Sequence, residues 1–216
     1  MMDMAARDPS VDGLPVAPGE SKFRIKGLAY RGIVEFMKGQ GGSFEQDVRE
    51  SLGAELREFC DQPFMAASWY DALPIRSFTA AVAARLGVTH EEYLRMGAAK
   101  QAALDARTVY RHLMDEQAPF EVVRRQVRIG LRYYSFLQGT YVHTGEHQGE
   151  IRAHGMPLYL ASWFMPMQES YTTETLRRCG VSSPVVRAEL VGQVPSPSEP
   201  LAPTKLVFKA SWGQAN

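Results

Sequence analysis

This chain has little of what usually announces a chemistry. It carries two cysteines, Cys60 and Cys179. They are far apart and in no C-x-x-C spacing, so neither a disulfide framework nor a zinc cage can be built from them. Both fall on expected helices, where a lone Cys is usually a small buried hydrophobe. Lys+Arg and Asp+Glu each total 24, for a formal net charge of zero. The cation surplus that non-specific nucleic-acid binding needs is therefore missing, and nucleic acid is not an expected partner. A zero balance also limits electrostatic solubility and favours association, so a homodimer is expected.

Long apolar runs are missing too. Nothing in the sequence is long enough to span a bilayer, and the N-terminus MMDMAARDPSVDGLPVAPGE has no apolar signal core. A cytoplasmic location is the default expectation. Enzyme signatures are lacking: there is no G-x-S-x-G, no H-E-x-x-H, no phosphate loop and no G-x-G-x-x-G. Gly39-Gln40-Gly41-Gly42 follows a helix rather than a strand and has no Lys-Ser/Thr, so it reads as a helix stop.

What is present suffices for a core, since 45% of the residues are hydrophobic in a chain of 216. Residues 1–20, with Pro15 and Pro18 and few large apolar side chains, read as a loose arm. Order is expected from Phe23-Arg24-Ile25. A helix over 26–38 places Leu28, Ile33, Phe36 and Met37 towards one side. Ser43 and Gln46 stand at capping-box spacing and open a second helix through Leu52, Leu56 and Phe59. Trp69 to Pro74 forms a junction, and Pro74 suits the first turn of a helix that reaches Leu86 and stops at Gly87. Thr89 and Glu92 open a long helix to about Glu116.

Pro119 starts another helix, with Val123, Val127, Leu131 and Tyr134 on one face. After it, residues 149–154 read as a strand, 158–179 as a helix, and 185–194 and 205–212 as two more strands. Pro195, Pro197, Pro200 and Pro203 read as an extended, poorly ordered connection. The fold class is α+β: a helical N-terminal layer over 21–136, then a small antiparallel sheet with one packed helix over 137–216. The two regions are expected to form one continuous domain, 21–213.

Four groups of residues carry candidate chemistry. His143, His147 and His154 lie close together with Glu146 and Glu150, and imidazole with carboxylate suits zinc, iron or nickel. The plainer reading is a solvated polar turn at 144–149, with His143 and His154 on different sides of a sheet. His112, one turn beyond Thr108, suits an axial haem ligand or proton carrier, or simply a half-buried histidine beside a carboxylate. Arg124, Arg128 and Arg132, with Arg125, would suit an anionic ligand or an acidic partner. Their plainer reading is the solvated face of an amphipathic helix, with Glu121 as an i,i+4 partner for Arg125. Finally, 158–167 is apolar on nearly every side around Pro166. Trp163, Phe164, Met165 and Met167, with Tyr134, are either core, the lining of an apolar pocket, or a dimer seam.

Several short stretches resemble a paralogous family of unknown function abundant in myxobacteria. They are Lys26-Gly27-Leu28, Trp69-Tyr70-Asp71 with Leu73-Pro74, Leu86-Gly87-Val88-Thr89, Gly97, Tyr110, Tyr133-Tyr134, Gly149-Glu150-Ile151-Arg152 and Ser211-Trp212. The layout is also similar, more distantly, to haem-based nitric-oxide/oxygen sensor domains and to vinyl-reductase-like ligand-binding domains. That resemblance implies a ligand pocket between helical layer and sheet. Haem sensors of that kind hold the propionates with a Tyr-x-Ser-x-Arg motif. Here Tyr133-x-Ser135-x-Leu137 lacks the Arg and precedes the candidate ligand His143, whose β-favouring neighbours place it on a strand. The paired cysteines of vinyl-reductase-like domains are missing between Val181 and Trp212.

The reading reached from sequence is a non-catalytic cytoplasmic sensory or interaction module. It binds a small apolar ligand or a protein partner and needs no cofactor. The alternative is a haem- or metal-dependent sensor using His143 or His112.

Overall fold

The computed structural model describes residues 13–108 and 118–213. The chain divides into two compact units, with the boundary between His90 and Glu91. The expected α+β class is what the structure has. Six helices, rather than five, precede the four-stranded sheet among the described residues, and one further helix packs on it.

The first unit opens with strand β1 (Arg24–Lys26), which pairs antiparallel with β2 (Trp69–Asp71). Between them run α1 (Leu28–Gln40), α2 (Phe44–Ser51) and α3 (Ala54–Asp61), and α4 (Pro74–Leu86) follows. The expected second helix is thus two, broken at Leu52-Gly53. Ser43 precedes α2 without a side-chain cap bond; its hydroxyl instead donates to Asp47 Oδ2 at 3.0 Å. The start of α4 at Pro74 and its stop at Gly87, with φ 72°, follow the expectation. Tyr30, Phe78, Ile25 and Leu73 fill the core of this unit. The Tyr30 ring stacks on Phe64 at 4.4 Å.

The second unit takes up α5 (His90–Arg107) from Glu91 onward, then α6 (Pro119–Gly130) and a 3-10 turn (Leu131–Tyr133). The sheet follows: β3 (Gln138–Gly145), β4 (Gln148–Pro157), β5 (Val185–Leu190) and β6 (Pro203–Ser211), in spatial order β3-β4-β6-β5, all antiparallel. Helix α7 (Leu158–Arg178) runs through Pro166. One face of the sheet is apolar, with Ile151 opposite Phe208 and Ala153 opposite Leu206, all buried. The other carries Glu150, Arg152, Lys209 and Glu189, joined in the ion pairs Arg152–Glu150 and Lys209–Glu189. This alternation is that of an antiparallel sheet covered on one side.

Two local details make the sheet possible. At Gly155, φ is +94° and an added Cβ would lie 2.1 Å from the Phe136 carbonyl oxygen. Only glycine fits this irregularity, which carries Met156 into the core, fully buried. The proline-rich connection differs from expectation because it is tied by hydrogen bonds. Leu158 N–H donates to Ala202 C=O at 3.0 Å and Tyr159 N–H to Pro200 C=O at 2.8 Å. These bonds satisfy two amides that the first turn of α7 leaves without intrahelical partners.

Candidate functional site

The strongest candidate site lies in the second unit, where α6 and α7 pack together and α7 covers the sheet. Phe164 points from α7 to the sheet, its ring edge-on to Phe208 at 5.8 Å and to Tyr134 at 5.6 Å. Tyr134 in turn meets Phe136 at 5.7 Å. Burial pushes the Tyr134 hydroxyl far above the usual phenol range, with Tyr133 adding to it. Trp163 and Phe164 are both buried, whereas Met165 and Met167 are half-buried. Aromatic rings therefore meet between α7 and the sheet.

Buried on α6 and α7 are polar atoms without partners. Trp163 Nε1 and both amide atoms of Gln126 are buried without hydrogen-bond partners. Gln126 is 8% exposed and Trp163 3%. Gln126 shares the inner face of α6 with Val122, Val123 and Val127. Buried polar groups are nearly always satisfied, so unpaired ones call for an account. On β3, the Tyr141 hydroxyl is likewise buried and unpartnered, and burial, then Glu121, push it up to about 12.

The histidines are separated by the strand register. His143 pairs with Gly149 and His154 with Gln138. Five residues along β3 amount to about 17 Å at about 3.4 Å per residue. The register also puts them on opposite faces. His143 is exposed, with its ring 4.8 Å from Phe120. His154 Nε2 lies 2.9 Å from Gln138 Oε1, and His147 lies 3.9 Å from Glu146. Among the described residues no group of three His, Cys, Asp or Glu side chains could hold a metal ion. His112 lies outside the described residues.

Arg124 and Arg128 on α6 and Arg132 in the 3-10 turn after it are exposed. Glu121 pairs with Arg124 at i,i+3 rather than with Arg125, as i,i+4 spacing had suggested. A cleft bounded by Arg95, Ser170, Glu174, Arg177 and Arg187 also opens in this unit. Its arginines Arg95 and Arg177 are already paired with Glu169 and Glu174.

No protein-family model and no curated protein matches the chain. Solved structures do match, H-NOX domains among them. The Fe(II) unliganded H-NOX protein from K. algicida is 9% identical over 88% of this chain and 97% of its own, with a TM-score of 0.59. A mutant of the T. tengcongensis H-NOX protein is 11% identical, covering 88% and 99%, with a TM-score of 0.59. An oxygen-binding H-NOX domain related to soluble guanylate cyclases is 10% identical, covering 88% and 93%, at 0.54. The chain has the H-NOX-like fold, in agreement with the distant similarity of layout seen in the sequence.

The described residues do not fit a haem held in the H-NOX manner. Leu137, where the motif calls for the propionate-binding Arg, is apolar and buried. His143 sits exposed on a strand, against Phe120. The rings of Phe164, Phe208 and Tyr134 meet edge to face between α7 and the sheet. Among the described residues no helix is long and apolar enough to cross a membrane.

Proposed function

We propose that this chain is a non-catalytic sensory module that uses the H-NOX-like fold without haem and answers to a small, mainly apolar ligand. The observation that carries this reading is the set of unpaired buried polar atoms on α6 and α7, Trp163 Nε1 and the Gln126 amide. Ligand sites are apolar surfaces with a few polar groups that set orientation. A donor and an amide left unsatisfied among Val122, Val123, Val127 and Phe164 have that composition. Occupied, they gain the hydrogen bonds they lack; empty, they cost stability.

The cost gives the test. Gln126→Leu removes a buried amide without partners and should stabilise the free protein by about 1–2 kcal/mol. The same variant should lose any thermal shift that the wild type shows with small amphiphiles such as indole or medium-chain alcohols. Destabilisation by Gln126→Leu, with no amphiphile shifting the wild type, would refute the reading.

Haem is the second reading, favoured by the neighbours whose names record Fe(II) and oxygen-bound H-NOX domains. Protein expressed with added haem should show no stoichiometric Soret band. A band lost in His112→Ala or His143→Ala would replace the first reading with this one. A cytoplasmic homodimer remains part of the proposal, and light scattering reads the oligomeric state directly.

A further inference from the structure

The first unit presents a surface of different character. Register pairs Lys26 with Trp69 across the β1–β2 ribbon, and the Lys26 ammonium sits over the indole at 3.9 Å from its centroid. The same ammonium donates to the Ala67 carbonyl at 2.6 Å. Beside it the 65–68 turn is held against the start of α1: Gly27 N–H donates to Ser68 C=O at 2.9 Å and Leu28 N–H to Ala66 C=O at 3.2 Å. The turn can approach this closely because residue 27 is glycine. An added Cβ would lie 2.3 Å from the Met65 carbonyl oxygen and 2.6 Å from the Tyr70 ring.

This construction holds large apolar side chains out in solvent. Met65 is 65% exposed, Leu28 45% and Trp69 44%. Neither Lys22 nor Lys26 has a carboxylate partner among the described residues, whereas Arg31, Arg49 and Arg85 of the same unit each face one. Exposed aromatic and Met side chains held together in solvent are enriched in protein-recognition surfaces.

We propose that the face formed by Lys22, Lys26, Leu28, Met65 and Trp69 docks an acidic peptide segment of a partner protein, one that also carries an apolar side chain. Charge complementarity selects the acid: carboxylates meet Lys22 and Lys26, and the apolar side chain covers Trp69 and Met65. The cations are too few for other polyanions. Membrane-binding clusters use about four to eight Lys or Arg, and nucleic-acid binding rests on many phosphate contacts. The docking face belongs to the first unit and does not depend on what the second unit binds.

The test uses the full chain and blocked, labelled peptides that alternate Glu with Leu or Trp, with Lys-containing counterparts as controls. Fluorescence anisotropy should show binding of the Glu peptides only, weakening with added salt. Lys22→Glu with Lys26→Glu should weaken it by about tenfold or more, and Trp69→Ala should abolish it. Lys205→Glu, on the sheet of the other unit, should leave it unchanged. Lys22→Glu alone alters an exposed side chain away from the indole and keeps the test valid if the double variant misfolds. Equal binding of Glu and Lys peptides, no binding at all, or unchanged affinity in Lys22→Glu would overturn the proposal. So would tighter binding to phosphatidylserine vesicles or to single-stranded DNA than to the Glu peptides.

Discussion

Asp71 ties together three segments of the first unit. It is 1% exposed, and its carboxylate accepts from Gly19 N–H at 2.9 Å, Ser21 N–H at 3.0 Å, Leu73 N–H at 3.0 Å and the Ser21 hydroxyl at 2.5 Å. One side chain thereby ties the chain before β1 to the end of β2 and the entry of α4. Bonds to a charged acceptor are worth more than neutral ones, and removing it strands buried donors. Asp71→Ala should cost about 2–4 kcal/mol, read as a lower urea midpoint. Asp71→Asn, which keeps one carbonyl oxygen, should cost less. A midpoint unmoved in Asp71→Ala would mean that the network contributes nothing net. The sequence singled out Trp69-Tyr70-Asp71 only through its resemblance to other chains. Its physical role appears once the register places it beside Arg24 to Lys26.

At the scale of elements, Glu169 links α7, α5 and the edge strand β5. Its carboxylate meets Arg95 of α5 at 2.5 Å and accepts from the Ala188 N–H of β5 at 2.6 Å. An edge strand exposes unpaired amides, and here a buried carboxylate covers one of them. Glu169→Ala should cost about 1–3 kcal/mol, because it leaves a buried amide unpaired and Arg95 with Glu91 alone. Hydrogen exchange at Ala188 should accelerate with it; unchanged exchange would separate Glu169 from the edge.

The elements differ in how legible they were. Helices α4 and α7 and the strands of the second unit are long enough for their period, Pro starts and Gly stops to show. The β1–β2 ribbon has three residues per strand, too few for alternation to register. The break between α2 and α3 was hidden for another reason. Val48, Leu52, Leu56 and Cys60 are all buried at four-residue spacing, so the apolar stripe continues across the gap. The candidate ligand site was half visible. The aromatic content of 158–167 pointed to α7, but nothing singled out Gln126 on the arginine-bearing helix. A glutamine between Val123 and Val127 on an apolar face was the signal available.

Across the whole molecule, acidic hydrogens are held by burial in both units, that of Tyr134 among them. Burial pushes the Cys60 thiol up to about 12, with Arg49 opposing and Asp61 adding. Burial alone pushes Tyr93 to about 12 and Cys179 to about 11. Tyr141 reaches about 12 by burial and the nearby Glu121. In the unfolded chain cysteines ionise near about 8.5 and tyrosines near about 10. Between those values and the raised ones, the unfolded state binds fewer protons than the folded state. Stability therefore falls as pH rises through that window, and the full contribution is present below it. The urea midpoint should be level from about pH 7 to 8 and decline progressively from about pH 9 to 11. Cys60→Ala should lower the midpoint at every pH, through the lost packing, yet flatten the decline. Both thiols should resist disulfide-exchange reagents at neutral pH until the chain unfolds, since the thiolate is the reactive form. A midpoint level to about pH 11, or thiols that label at once in the folded protein, would mean that these groups meet solvent, and that the interiors around Cys60 and Cys179 are open rather than packed.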